Sequence, residues 1–384
     1  MKPPLPLAQA SHREPGEVVR IGVFRALMLG DLLCAIPAWR ALKNACPHSV
    51  VTLIGLPWAR ALAERLSCID EFVEFPGHPF LPEAGADLPA WPGFLAQVQE
   101  RRFDLLLQMH GSGTLSNALV SLFGARRLVA FHPPGEPPPA GVDVAVAWPQ
   151  AGHETERLMQ LVRALGITGA EGATEFPLRE EDRARLRALW PAGQTVGRYV
   201  VLHPGAQLPS RRWPAERFAQ VGDVLAAQGL SVVVTGTAAE RELAREVVAR
   251  MHRPAHDLCG LTGLWELGAL LEGAALLVSN DTGVAHVAAA LGTPRVVVSC
   301  GGDVYRWQRP APEARVLWHD VPCRPCAYRQ CPIAHPCARA VTAELVAEAA
   351  LDLLEAAARP DGGLAHGSTP WRGEAVRLAG RHLS

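Results

Sequence analysis

The feature that most constrains this chain is an alternation that runs almost its whole length. Short runs of β-branched and other apolar residues are each followed by a stretch of helix length with amphipathic spacing. A strand that is apolar at every position has both faces buried, and two such strands joined through a helix pair in parallel. The chain therefore reads as α/β, built from parallel βαβ units. In the first half, strands are expected at 18–24, 49–55, 105–109 and 128–131, with helices at 32–45, 58–65, 116–123 and 153–165. In the second half the strands are 199–203, 231–235, 274–278 and 295–299. The helices there are 215–228, 238–251, 263–272 and 342–358, with a short buried segment near His256 to Cys259. The run Pro133-Pro134-Gly135-Glu136-Pro137-Pro138-Pro139 can continue neither element and is expected as a surface loop.

The alternation restarts after 189–198, where Pro191 and Gly193 suggest a hinge. Two doubly wound domains are expected, 18–190 and 191–358, between an N-terminal extension, 1–17, and a Gly- and Arg-rich flexible tail, 359–384. A chain of 384 residues that is 49% hydrophobic can supply both cores. Lys and Arg total 37 against 38 Asp and Glu, so there is no global basic field and nucleic acid is not an expected partner. No apolar run approaches the roughly 20 residues that span a bilayer, and the first fifteen residues lack a signal-peptide core, so a cytoplasmic protein is expected.

The junction Ser279-Asn280-Asp281-Thr282-Gly283-Val284-Ala285-His286 ends an apolar run and opens a helix that Gly292 closes before Pro294. At such a turn the first backbone N–H groups and the helix dipole both favour a bound phosphate. Thr282 adds a hydroxyl, and Gly283 lets the backbone approach closely. Asp281 as a simple cap and His286 as a packed core residue are equally consistent with the residues alone. The first strand is followed by Arg25-Ala26-Leu27-Met28-Leu29-Gly30-Asp31, which lacks the three-glycine turn of a dinucleotide site. A nicotinamide-dependent oxidoreductase is disfavoured. The turn instead offers Asp31, either a helix cap or a general base.

Several motifs belong together. They are Gly30-Asp31-Leu32-Leu33 with Pro37-Ala38, and His203-Pro204-Gly205-Ala206 followed by Arg211-Arg212-Trp213-Pro214. Gly236 with Glu240, and Asn280-Asp281-Thr282-Gly283 with His286, complete the set. In this order and placement they resemble glycosyltransferase family 9, the heptosyltransferase family of lipopolysaccharide core assembly, over residues 18–357. The resemblance implies the GT-B architecture: two Rossmann-like domains facing across a cleft, with the acceptor on the first and the nucleotide sugar on the second. It implies an inverting transfer in which Asp31 takes the acceptor proton and Arg211 meets the donor phosphates. Thr282 and Gly283 match the diphosphate cradle, Glu240 a position near the ribose, and Asp281 a carboxylate near the donor sugar. His203, Gly205 and His286 fall in the same donor-binding motifs.

The donor implied is ADP-heptose and the acceptor a lipopolysaccharide-core or related glycan, with peripheral contact to the cytoplasmic face of the inner membrane. The same scaffold with another nucleotide sugar, or a silent nucleotide- or glycan-binding relative, are the alternatives. The presence of both Asp31 and Arg211 argues against the silent form. The segment Leu107-Gln108-Met109-His110-Gly111-Ser112-Gly113 is more polar than the corresponding family segment. His110, Ser112 and Asn117 either line an acceptor pocket or satisfy local turns. Cys323, Cys326, Cys331 and Cys337, beside His319 and His335, have the donors for a zinc site but not the spacing of a standard knuckle. No metal and no cofactor beyond the nucleotide sugar is expected. The scattered Cys34, Cys46, Cys68, Cys259 and Cys300 read as buried thiols.

Overall fold

The runs of Val, Leu and Ile form two six-stranded parallel sheets because the central strands are apolar over most of their length and are buried on both faces. The structure is a computed structural model that describes residues 18–168 and 173–358. The expected extension at 1–17 and tail at 359–384 lie outside the described residues. In the first unit the strands are β1 (Arg20–Phe24), β2 (Val50–Gly55), β3 (Glu71–Glu74), β4 (Leu105–Gln108), β5 (Leu128–His132) and β6 (Val144–Ala147). Their order is β3-β2-β1-β4-β5-β6. In the second unit they are β7 (Tyr199–His203), β8 (Ser231–Val234), β9 (Ala255–Asp257), β10 (Leu276–Asn280), β11 (Arg295–Val298) and β12 (Ala314–Leu317). Their order, β12-β11-β10-β7-β8-β9, repeats that of the first unit. Each sheet therefore reverses its winding beside its first strand, at β1/β4 and at β7/β10, which is where doubly wound sheets bind ligands.

In the second unit Val200, Leu202, Val278 and Val296 meet Phe218 and Val346 in one buried cluster. Phe24, Ile54, Phe75 and Leu106 centre a cluster in the first unit. Full burial of side chains of this size stabilises by about 1.5–3 kcal/mol each, so the centres of both sheets are set by the pattern alone. The edges are not. Strands β3, β6 and β12, and helices Trp91–Glu100 and Glu180–Leu189, are additions to the expected elements. The three strands border a sheet on one side only; charged residues break the apolar run in β3 and β12, whereas β6 is wholly apolar but only four residues long and mostly half-buried.

The chain divides after Pro177 rather than at 190, because helix Glu180–Leu189 packs on helix Leu264–Gly273 of the second unit. The expected hinge is a single 3₁₀ turn, Pro191–Gln194, inside that unit. The strand expected at 274–278 is shifted onward to Leu276–Asn280, so Ser279 and Asn280 are buried ladder residues rather than turn residues. Helix Gly283–Leu291 follows at once and ends on Gly292 with φ of 72°. No described helix is long and apolar enough to cross a membrane.

Candidate active site

In the first unit β1 leads through Arg25 into helix Leu29–Ala45, whose first turn carries Asp31. Arg25 is fully buried. Its Nε donates to the Asp31 backbone oxygen at 2.8 Å, Nη1 donates to the Met109 carbonyl, and Nη2 lies 3.1 Å from Glu154 Oε1 and 3.6 Å from Asp31 Oδ1. The Asp31 carboxylate is 20% exposed, so it keeps an open side.

His110, at the end of β4, stacks on Phe24 with ring centroids 5.2 Å apart and accepts from the Ala26 N–H at 3.3 Å. Its Nε2 lies 3.6 Å from Glu83 Oε1. Burial opposes ionisation of Glu83, but the hydrogen bond from His110 outweighs it and holds that carboxyl below its ordinary value. His110 is thereby held against the turn that carries Arg25 and Asp31. Ser112 pairs with Thr114 at 2.9 Å, and Asn117 donates to the Phe131 carbonyl at 2.8 Å. Asn117 also lines a 310 Å³ cavity with Gly113, Thr114 and His132 beneath the proline-rich loop.

In the second unit three turns meet at the carboxyl ends of β7, β10 and β11. Buried Asn280 ties them: its amide donates to the Pro204 carbonyl at 2.7 Å, and its oxygen accepts the Trp213 N–H at 2.8 Å. This clamp holds the His203–Gly205 turn and the Arg211–Trp213 turn beside helix Gly283–Leu291. Buried His203 contacts the Thr235 hydroxyl at 3.0 Å. Burial lowers its affinity for a proton, against the opposite pull of the Glu240 carboxylate.

Glu240 accepts from the Thr237 N–H at 2.8 Å, and its carboxylate lies within 2.5 Å of where a side chain on Gly205 would begin. Only glycine leaves room for that approach. Asp281 accepts from Ser299 Oγ at 3.0 Å and from Gln308 Nε2 at 2.6 Å. A Cβ on Gly302 would stand 2.8 Å from Asp281 Oδ2 and 3.2 Å from Arg211 Nη1, so the carboxylate and the guanidinium converge over that glycine. Thr282 caps the helix without a side-chain bond, and its hydroxyl has no partner among the described residues. His286 lies one turn into the helix, 6.2 Å from the Trp307 ring.

A segment visible in the sequence only as a cysteine cluster proves to frame this site. Arg211 Nη2 donates to the Cys326 carbonyl at 2.6 Å, and the Cys326 N–H donates to Gly301 at 2.8 Å. Ser210 Oγ donates to the Tyr328 carbonyl at 2.6 Å, and its own carbonyl lies 2.9 Å from His335 Nε2. Arg324, one-tenth exposed, donates to the Ser299 and His319 carbonyls at 3.0 Å each and also to Gly302. Burial makes Arg324 a weaker base than usual. Among the described residues all nine cysteines are thiols, and no three His, Cys, Asp or Glu side chains are grouped to hold a metal. Of the scattered five, Cys46 is half-buried rather than buried, because it ends a helix at the surface.

The sequence model of glycosyltransferase family 9 (heptosyltransferase) matches residues 94–336. Lipopolysaccharide heptosyltransferase 2 of Salmonella typhimurium is 25% identical over 309 residues, covering 73% of this chain and 82% of that protein. Lipopolysaccharide heptosyltransferase 3 of Escherichia coli K12 is 31% identical over 159 residues, 41% of this chain and 46% of that protein. Among solved structures, the family 9 glycosyl transferase of Veillonella parvula superposes with a TM-score of 0.75 at 21% identity, covering 89% of this chain and all of that one. The E. coli ADP-heptose heptosyltransferase II superposes with a TM-score of 0.69 at 21% identity, covering 88% of this chain and 99% of that one.

Proposed function

The chain belongs to glycosyltransferase family 9, and from that premise we propose that it moves heptose from ADP-heptose onto a lipopolysaccharide-core acceptor with inversion at the anomeric carbon. The observation that carries the reading is the convergence of Arg211 and Asp281 over Gly302, beside a helix start whose Thr282 hydroxyl is unengaged. A guanidinium and a helix N-terminus together suit a diphosphate, and a carboxylate next to them suits the hydroxyls of the attached sugar. Glu240, whose carboxylate approaches Gly205, is assigned to the ribose, and His203 and His286 to the same donor site.

In the proposed reaction Asp31 accepts the proton of an acceptor hydroxyl while that oxygen bonds to the anomeric carbon. The bond from that carbon to the diphosphate oxygen breaks, and the departing charge is met by Arg211 and the helix dipole. With that charge met by protein groups, no metal is required. His110 is assigned to acceptor contact, with Ser112 and Asn117 at its margin. The names of the similar proteins support the donor and acceptor chosen. The same reading puts the chain in the cytoplasm, in peripheral contact with the inner membrane that would hold a lipid-linked acceptor. The test is thermal-shift titration with ADP-heptose and with GDP- and UDP-sugars, followed by mass spectrometry of the acceptor product. Stabilisation by ADP-heptose and a one-heptose mass gain are expected; binding of a different nucleotide sugar alone would overturn the donor.

A further inference from the structure

We propose that Arg25 and Glu154 are positioning residues for Asp31, Arg25 holding its backbone and Glu154 setting how much of the Arg25 charge its carboxylate feels. The inference rests on Asp31 being the base. Arg25 joins three elements at one point: it bonds the first turn of helix Leu29–Ala45, the carbonyl after β4, and Glu154, the first residue of helix Glu154–Ala164. Those two helices pack on each other, and Arg25 and Glu154 are both fully buried. A buried guanidinium facing a single carboxylate would stabilise its ionised form strongly and leave it a poor base. Here the guanidinium is shared, and the fully buried Glu154 has the shorter contact, 3.1 Å against 3.6 Å for Asp31.

Two neighbouring titratable groups are engaged elsewhere or stay neutral. Cys34, one turn beyond Asp31, is pushed up to about 12 by burial and remains a thiol. On the β4 side, His110 is engaged with the Ala26 N–H and with Glu83. Among these groups, one cation and one competing anion set the charge balance at Asp31.

The test follows the Asp31 carboxyl carbon by NMR in protein labelled at aspartate Cγ. The signal is assigned by its disappearance in Asp31→Asn and titrated in the wild type, in Glu154→Gln and in Arg25→Gln. Glu154→Gln keeps the shape and can still accept from Arg25 but removes the competing charge. Its midpoint should fall by about one pH unit, and the acid limb of transfer from ADP-heptose should move the same way, with kcat reduced several-fold and donor KM unchanged. Arg25→Gln should move both upward. If Arg25→Gln does not fold, Glu154→Gln alone decides. An Asp31 midpoint that does not move in Glu154→Gln overturns the inference even if Asp31→Asn abolishes transfer. Undiminished transfer by Asp31→Asn overturns instead the reading of Asp31 as base.

Discussion

In the first unit the residue at the strand–helix turn, Asp31, is held by a buried cation that it shares with a second carboxylate. In the second unit the corresponding turns are held mainly by neutral groups: Asn280 clamps two loops through its amide, and Arg211 and Arg324 are anchored on carbonyl oxygens. The difference fits the roles proposed for the two places. A carboxylate that exchanges a proton is tuned by neighbouring charge, because about 1.4 kcal/mol of interaction changes its proton affinity tenfold. A cradle for a dianion must keep its positive charge available, and a carbonyl orients a guanidinium without cancelling it.

The largest effect should come from breaking the first half of that contrast. Asp31→Asn keeps the shape and removes the basicity, so turnover should fall by roughly 10²- to 10⁴-fold while nucleotide affinity by calorimetry changes little. Near-normal turnover would remove Asp31 from the chemistry.

In the second unit, Gly302→Val puts a branched side chain where Asp281 and Arg211 converge. Calorimetry should show ADP binding weakened by about tenfold or more, equivalent to about 1.4 kcal/mol. Arg211→Ala should weaken it in a salt-sensitive way. Unchanged affinity in both variants would put the diphosphate elsewhere.

Arg324→Met sharpens the comparison by testing an arginine that never needs to touch the donor. Three carbonyls lose their donor, and each buried unpaired group costs about 1–3 kcal/mol, so the melting temperature should drop by several degrees and ADP binding should weaken a few-fold. Loss of stability with full ADP affinity would show that the cysteine-bearing segment is only structural.

The smallest effect is on pH dependence. His203 is held neutral by burial, so it takes up a proton more readily in the unfolded chain. The folded pKa is lowered; stability is therefore unaffected above the unfolded value near 6.5 and falls as the pH drops below it, by at most about 1.4 kcal/mol per pH unit. Urea midpoints measured from pH 7 to 5 should fall less in His203→Asn than in the wild type. Parallel curves would assign the acid sensitivity to other groups.

The centres of both sheets are legible in the sequence because each central strand carries its burial in its own residues. Tyr199–His203 matches its expected bounds, and Arg20–Phe24 and Val50–Gly55 differ from theirs only at the first residues. Edge strands such as Glu71–Glu74 are not legible, since a strand with one neighbour and an open side needs no apolar run. Asp31, Arg211, Asp281 and Thr282 stand out through motifs whose order along the chain is local information. Asn280 belongs to one of those motifs, but its role as the clamp between loops depends on residues far from it in the chain.

The sequence by itself determined the α/β class, the two repeated halves and the turns to which the chemistry is assigned, because periodicity and turn composition act over neighbouring residues. Only the tertiary structure decided which partners those turns meet. Arg25 reaches Glu154 across 129 positions, Asn280 reaches the Trp213 turn across 67, and Arg211 bonds a carbonyl 115 residues away. Contacts at such separations depend on how strands are ordered in a sheet and how closely glycines such as Gly205 and Gly302 let loops approach. No local pattern in the chain encodes either.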